Sequence, residues 1–172
     1  MTSYSLLNEQ FMTFDSYYQQ LIEHFQQKGL WDVVSAATTN DLVFPRQKGV
    51  YVIRTNDHIP LIDSILYVGM SGKVSNDGEF NGSQTLAKRR YRWNPYRFLG
   101  EVFEFDPQYE QGESRDRPPR AGYRHQFDLE SIVTDCFCSE DFSTPVPAFL
   151  EAEILQMYLI NKQVLPPANN KF

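Results

Sequence analysis

The sequence predicts an α+β domain, and three features carry that prediction. Two β-rich runs, GVYVIR over 49–54 and ILYVG over 65–69, are separated by the turn-rich TNDHIP; an amphipathic helical pattern precedes them over 14–28; and an apolar stripe at helical spacing runs through AFLEAEILQMYLINK near the end. The first helix places Phe14, Tyr17, Tyr18, Leu21 and Phe25 on one side, with Thr13 as its N-cap candidate and Gly29 where a C-cap glycine is expected. Trp31, Val33 and Val34 predict a short second helical segment before the polar TTND. Residues 1–48 thus read as an N-terminal helical extension packed on the core, and 49–172 as the main domain.

The two β-rich runs read as adjacent antiparallel strands. The stretch MSGKVSNDGEFNGS over 70–83 is full of Gly and Asx turn signals and reads as an exposed loop. QTLAKRRYRW over 84–93 reads as a helix ended by Asn94 and Pro95. GEVFEFD over 100–106 is a strand candidate, 107–124 a polar proline-bearing loop, and FDLESIVTDCFC resumes a strand-like pattern. In the last helix, Phe149, Ile154, Leu155, Tyr158 and Leu159 form the apolar stripe, after which VLPPANNKF closes the chain in a turn.

Composition bounds the function. A chain of 172 residues, 41% hydrophobic, can bury roughly two thirds of its unfolded surface in one core. The formal net charge of -6 excludes a general role in coating nucleic acid, so any polyanion site must be local. No apolar run reaches the roughly 20 residues of a membrane helix, and MTSYSLLNEQF has neither a basic nor an apolar leader, which predicts a soluble, cytoplasmic protein without a membrane partner. Cys136 and Cys138 flank Phe137 and read as core-filling thiols, because i,i+2 side chains of a strand share a face without bridging readily. His24 falls within the first helix, and His58 in the turn between the two strands.

The residues that could carry chemistry are of the types that cleave a phosphodiester. Such a reaction needs donors for phosphate oxygens, a hard cation to withdraw charge and a base to activate water. Arginine, carboxylate and tyrosine supply these. Gly49-Val50-Tyr51 and Tyr67-Val68-Gly69, with their tyrosines sixteen positions apart, resemble the paired signature of the GIY-YIG nuclease family. Leu86-Ala87-Lys88-Arg89 is similar to the family's leucine-to-arginine helix, Leu150-Glu151-Ala152 before Ile154-Leu155 to its acidic helix, and LPPAN ending at Asn169 to its closing proline and asparagine. These landmarks span 49–169. The interval from Glu151 to Asn169 is longer than in many members, and an extra polar loop follows Gly72.

The resemblance implies a small three-stranded antiparallel sheet flanked by helices, and metal-dependent cleavage of nucleic acid, DNA ahead of RNA, by a single active site. Tyr51 and Tyr67 would position or activate water; read as residues alone, they are better explained as core or cross-strand aromatics. Tyrosine's reference pKa near 10 makes it a weak base, so proton acceptance requires a nearby cation. Arg89 would hold the scissile phosphate, with Arg90 as the register alternative. Glu151 would bind Mg2+ or Mn2+, with Glu153 as the alternative, and Asn169, or else Asn170, would support the closing turn. Lys88, Arg90, Arg92 and Arg97 stand with Arg89 in a segment without Asp or Glu, suited to a nucleic-acid backbone or simply to solvent. Tyr91, Trp93 and Tyr96 interleave with them. Arg115, Arg117, Arg120 and Arg124 form a second basic cluster, offset by Glu113 and Asp116, and His125 beside it is a candidate proton shuttle. Two other functions suit the same scaffold: a nucleic-acid-binding module without turnover, and a structural or protein-binding role.

Overall fold

The computed structural model describes residues 12–35, 45–56, 59–79, 85–86 and 132–169. Within them the chain forms helix α1 (Phe14–Gln27), strands β1 (Trp31–Ser35) and β2 (Lys48–Thr55), the short helix α2 (Leu61–Ser64), strands β3 (Ile65–Ser71) and β4 (Ile132–Ser139), and helix α3 (Pro147–Lys162). The strands make one antiparallel sheet in the order β1-β4-β2-β3.

This corrects the three-stranded architecture that the family resemblance implies: the described residues form four strands flanked by three helices. It also corrects the helical segment expected at Trp31–Val34, and with it the wholly helical extension. Thr13 caps α1 through its hydroxyl, which accepts from Ser16 N at 3.2 Å. At the far end Leu30 N donates to Phe25 O and Gly29 N to Gln26 O, the paired bonds that close a helix and turn the chain back. The next residues then meet a free edge of β4, with Trp31 opposite Phe137 and Val34 opposite Thr134. Backbone pairing along five residues outweighs the weak helical propensity of a segment holding two adjacent valines. The expected helix over 84–93 is described only at Thr85 and Leu86, and the strand at 100–106 and the loop at 107–124 lie outside the described residues.

One face of the sheet carries the main core. Phe14, Tyr18, Leu21 and Phe25 of α1 and Leu150, Ile154, Leu155 and Tyr158 of α3 pack with Val50, Val52, Val68 and Phe137 of the strands. Phe25 meets Phe137 edge-on at 5.3 Å between ring centroids, and Phe14 meets Tyr158 likewise at 5.6 Å. Long-range polar contacts fix the helices to one another. Asp15 in the first turn of α1 accepts from Leu61 N and Ile62 N, supplying α2 with the cap that Pro60 cannot provide. Lys162 at the end of α3 pairs with Asp63 of α2.

Within this core stands a buried polar group. Asp135 at the centre of β4 is fully buried and accepts from Arg54 Nε at 2.7 Å, from Arg54 Nη2 at 3.3 Å and from the Tyr18 hydroxyl at 2.7 Å. The carboxylate therefore has three donors and a fixed cation, which a charge removed from water requires. Burial first, and the Asp135 charge second, hold the Tyr18 hydroxyl well above its ordinary pKa, so it stays a donor.

Candidate functional site

Strand parity divides the sequence landmarks between the two faces. Val50, Val52 and Val68 point into the α1–α3 core, so Tyr51 and Tyr67 project from the other face. In the β2–β3 register Tyr51 lies opposite Gly69, and Tyr67 opposite Ile53, which makes the tyrosines diagonal neighbours. Their rings stand 5.9 Å apart at an interplanar angle of 33°. The motif glycines make this possible by close approach. A Cβ on Gly69 would lie 2.6 Å from the Tyr51 hydroxyl oxygen and 2.6 Å from Tyr67 Cε1, and one on Gly49 would lie 2.1 Å from the Phe137 carbonyl oxygen. The spacing Y-x-G is thus a packing requirement: the glycine two residues after Tyr67 is the floor on which the Tyr51 ring rests.

Both tyrosines are buried, Tyr51 to 2% exposure and Tyr67 to 8%. Their face is continued by Cys136, opposite Tyr51, and Cys138, opposite Gly49. Both thiols are free and buried, in keeping with core-filling side chains. Burial pushes both thiols up, Cys138 to about 12.

One end of the sheet gathers the other landmarks. Lys48 begins β2 opposite Ser139, the last residue of β4, and Gly49 is opposite Ser71, the last residue of β3. Leu86 N donates to Gln47 O at 2.8 Å and the Ser71 hydroxyl to Thr85 O at 2.8 Å. The start of the segment that leads to Arg89 is therefore tied to this rim. The Ser139 hydroxyl donates to Pro145 O and the Thr144 hydroxyl to Ser139 Oγ, which brings the chain into α3 from the same end. Pro147 occupies the first turn, where its missing N–H costs nothing, and Glu151, half-buried, begins the second. Gln47 Nε2 also donates to Glu140 there, at 2.6 Å.

Glu153, the alternative to Glu151, is engaged elsewhere. The Tyr17 hydroxyl of α1 donates to its Oε2 at 3.1 Å, and burial, with the Glu153 charge second, raises the Tyr17 pKa. The acid two positions away thus braces α1 against α3. Asn169 is buried against the edge strand β3, where its Oδ1 accepts from Val68 N at 2.9 Å and its Nδ2 donates to Val68 O at 2.8 Å. With Ala168 N donating to Leu66 O, it covers the β3 edge as a further strand would, directly beside Tyr67. Arg89, Lys88, Arg90, Arg92, Arg97, His125 and Asn170 lie outside the described residues.

The structure therefore brings the two tyrosines together and sets Asn169 beside the second. It carries Glu151 on a helix packed on the opposite face, at the rim where the Arg89 segment begins. Sequence reasoning missed Gln47 and Lys48 as rim residues, although Lys48 directly precedes the first signature triplet. It also missed the Arg54–Asp135–Tyr18 group; an aspartate amid the apolar run of β4 was the available signal.

Among the described residues no group of three or more His, Cys, Asp or Glu side chains is placed to hold a metal ion. No described helix is long and apolar enough to cross a membrane. No family model matches this chain, and no curated protein matches it.

Proposed function

We propose that this protein is a metal-dependent endonuclease that hydrolyses phosphodiester bonds, with DNA as its substrate ahead of RNA. The observation that carries the reading is the convergence at one end of the sheet. There β2 and β3, which bear the tyrosine pair, meet the start of the Arg89 segment through Leu86 N and Ser71 Oγ, and the start of α3 through Ser139. That end ties together the strands that bear the tyrosine pair, the start of the segment leading to Arg89 and the start of the helix that bears Glu151, which supports the reading.

In this reading Arg89 holds the scissile phosphate by paired N–H donors and Glu151 binds Mg2+ or Mn2+. The chemistry of the donor set fits such an ion: a single half-buried carboxylate suits Mg2+, which keeps several waters and needs no closed protein cage. The ion supplies neutralisation of charge on the phosphate. Tyr51 and Tyr67 orient water from the sheet, and Asn169 holds β3, and so Tyr67, in place. The remaining basic residues, Lys88, Arg90, Arg92 and Arg97, track the nucleic-acid backbone.

The burial of both tyrosines favours a second reading, a nucleic-acid-binding module that keeps the scaffold without turnover. One assay separates the two: cleavage of plasmid, linear duplex, branched DNA and structured RNA in Mg2+ and Mn2+ by wild type, Glu151→Gln, Glu153→Gln and Arg89→Ala. The nuclease reading expects cutting by wild type, its loss in Glu151→Gln and Arg89→Ala, and near-wild-type cutting by Glu153→Gln. Binding of these substrates that persists in Glu151→Gln, measured alongside, with no cutting by wild type on any of them, establishes the second reading instead.

A further inference from the structure

We infer that Asp32 keeps the open edge of the sheet from pairing with a second copy of this chain. The inference is independent of the nuclease reading. At one end of the strand order, β3 has its edge covered by Asn169 and Ala168. At the other end, β1 pairs only with β4 among the described residues, and both Asp32 and Val33 are exposed there. An uncovered strand edge is a template for pairing with another chain, and an identical chain brings the same edge to the contact.

The register shows which backbone groups face outward. Cys138 N donates to Leu30 O at 2.8 Å, and extending the pairing of Trp31 with Phe137 by one step puts those two residues opposite each other. Hydrogen-bonded and non-hydrogen-bonded pairs alternate along an antiparallel ladder. Leu30, Asp32 and Val34 therefore bond β4, while Trp31, Val33 and Ser35 turn their N–H and C=O groups away from it. Val33 is the middle residue of these three, and its N–H donates to Oδ1 of Asp32 at 2.8 Å. Two copies joined antiparallel about a two-fold axis through Val33 need that donor from each chain. The same pairing sets Asp32 opposite the other copy's Val34, so the two Asp32 carboxylates become diagonal neighbours on one face, about 7–8 Å apart. Asp32 thus opposes the contact twice, by occupying its central donor and by placing like charges together.

Self-association tests the inference. Sedimentation equilibrium over a concentration series compares wild type, Asp32→Ala, Asp32→Ala/Val33→Pro and Glu23→Ala, with thermal melts to check that each variant folds. Glu23, an exposed carboxylate on α1, is the charge-matched control. Val33→Pro removes the outward N–H, a change that an edge strand tolerates because the lost donor makes no ladder bond. Residue-resolved amide exchange of Asp32→Ala at low and high concentration is measured alongside, and it decides the matter should the double variant not fold. The expected result is an association constant at least about 10-fold higher in Asp32→Ala than in wild type, since two backbone donors are released at once. Val33→Pro should return it to the wild-type value, and the Val33 amide of Asp32→Ala should gain protection as concentration rises. Association of Asp32→Ala no stronger than that of wild type, or an equal rise in Glu23→Ala, overturns the inference. So does a rise that leaves the Val33 amide unprotected, which places the contact on another surface.

Discussion

The two faces of the sheet are built on different principles. On the α1–α3 face, apolar side chains surround a charge that the fold itself satisfies: Asp135 accepts from Arg54 and from the Tyr18 hydroxyl. On the other face, the motif tyrosines lean over a glycine whose missing Cβ gives them their room. The first arrangement is what a stable fold demands. The second keeps two hydroxyl-bearing rings side by side at the cost of a glycine within a strand, a residue that weakens strands.

The difference can be broken from the core side first. Asp135→Ala leaves a guanidinium and the Tyr18 hydroxyl without their acceptor, and breaking a buried pair from one side costs about 3–5 kcal/mol. Urea unfolding should show that loss, and Arg54→Met combined with Asp135→Ala should recover part of it, because no uncompensated charge then remains. A loss below about 1 kcal/mol would mean that the polar group does not lock this face.

Gly69→Ala tests the other face. The new methyl meets Tyr51 and Tyr67 at 2.6 Å, so the rings must shift, and overpacking of this kind costs about 1–3 kcal/mol. On the nuclease proposal, cutting should also fall, since the pair is displaced before the sheet is lost. Unchanged unfolding and unchanged cutting would show that the close approach has no consequence.

A further effect is a dependence on alkaline pH. Burial raises the thiols of Cys136 and Cys138, the latter to about 12, whereas unfolded cysteine ionises near pH 8.5. From about pH 8.5 upward the unfolded chain therefore holds fewer protons than the folded one, and stability declines as pH rises toward 12. Below that range the thiols are neutral in both states and contribute no slope. Cys136→Ser/Cys138→Ser should flatten the decline measured by unfolding at pH 8 and pH 10, and an undiminished decline would assign it to other groups such as Tyr18.

Much of the frame was legible because local signals agreed. Thr13, the Phe14-to-Phe25 spacing and Gly29 bound α1, and both signature triplets fall on strands. β1 was not legible: Asp32 and Val33 are both exposed, which breaks strand alternation, and the strand exists because β4, a hundred residues later, offers it an edge. The Asp135 group was hidden for the same reason, since Tyr18 and Arg54 reach it across 117 and 81 positions. The tyrosine pair was legible as a spacing, but not its burial, which depends on what packs over that face.

The central claim is that the Tyr51 and Tyr67 hydroxyls take part in chemistry rather than merely filling space. Single-turnover cleavage of DNA in Mg2+ by wild type and by Tyr51→Phe/Tyr67→Phe, with unfolding free energies measured alongside, tests it most directly. The account predicts a rate at least about 100-fold lower in the double variant. Stability should change by no more than about 1–2 kcal/mol for the two lost hydroxyls. Cutting at the wild-type rate by a folded double variant would contradict it.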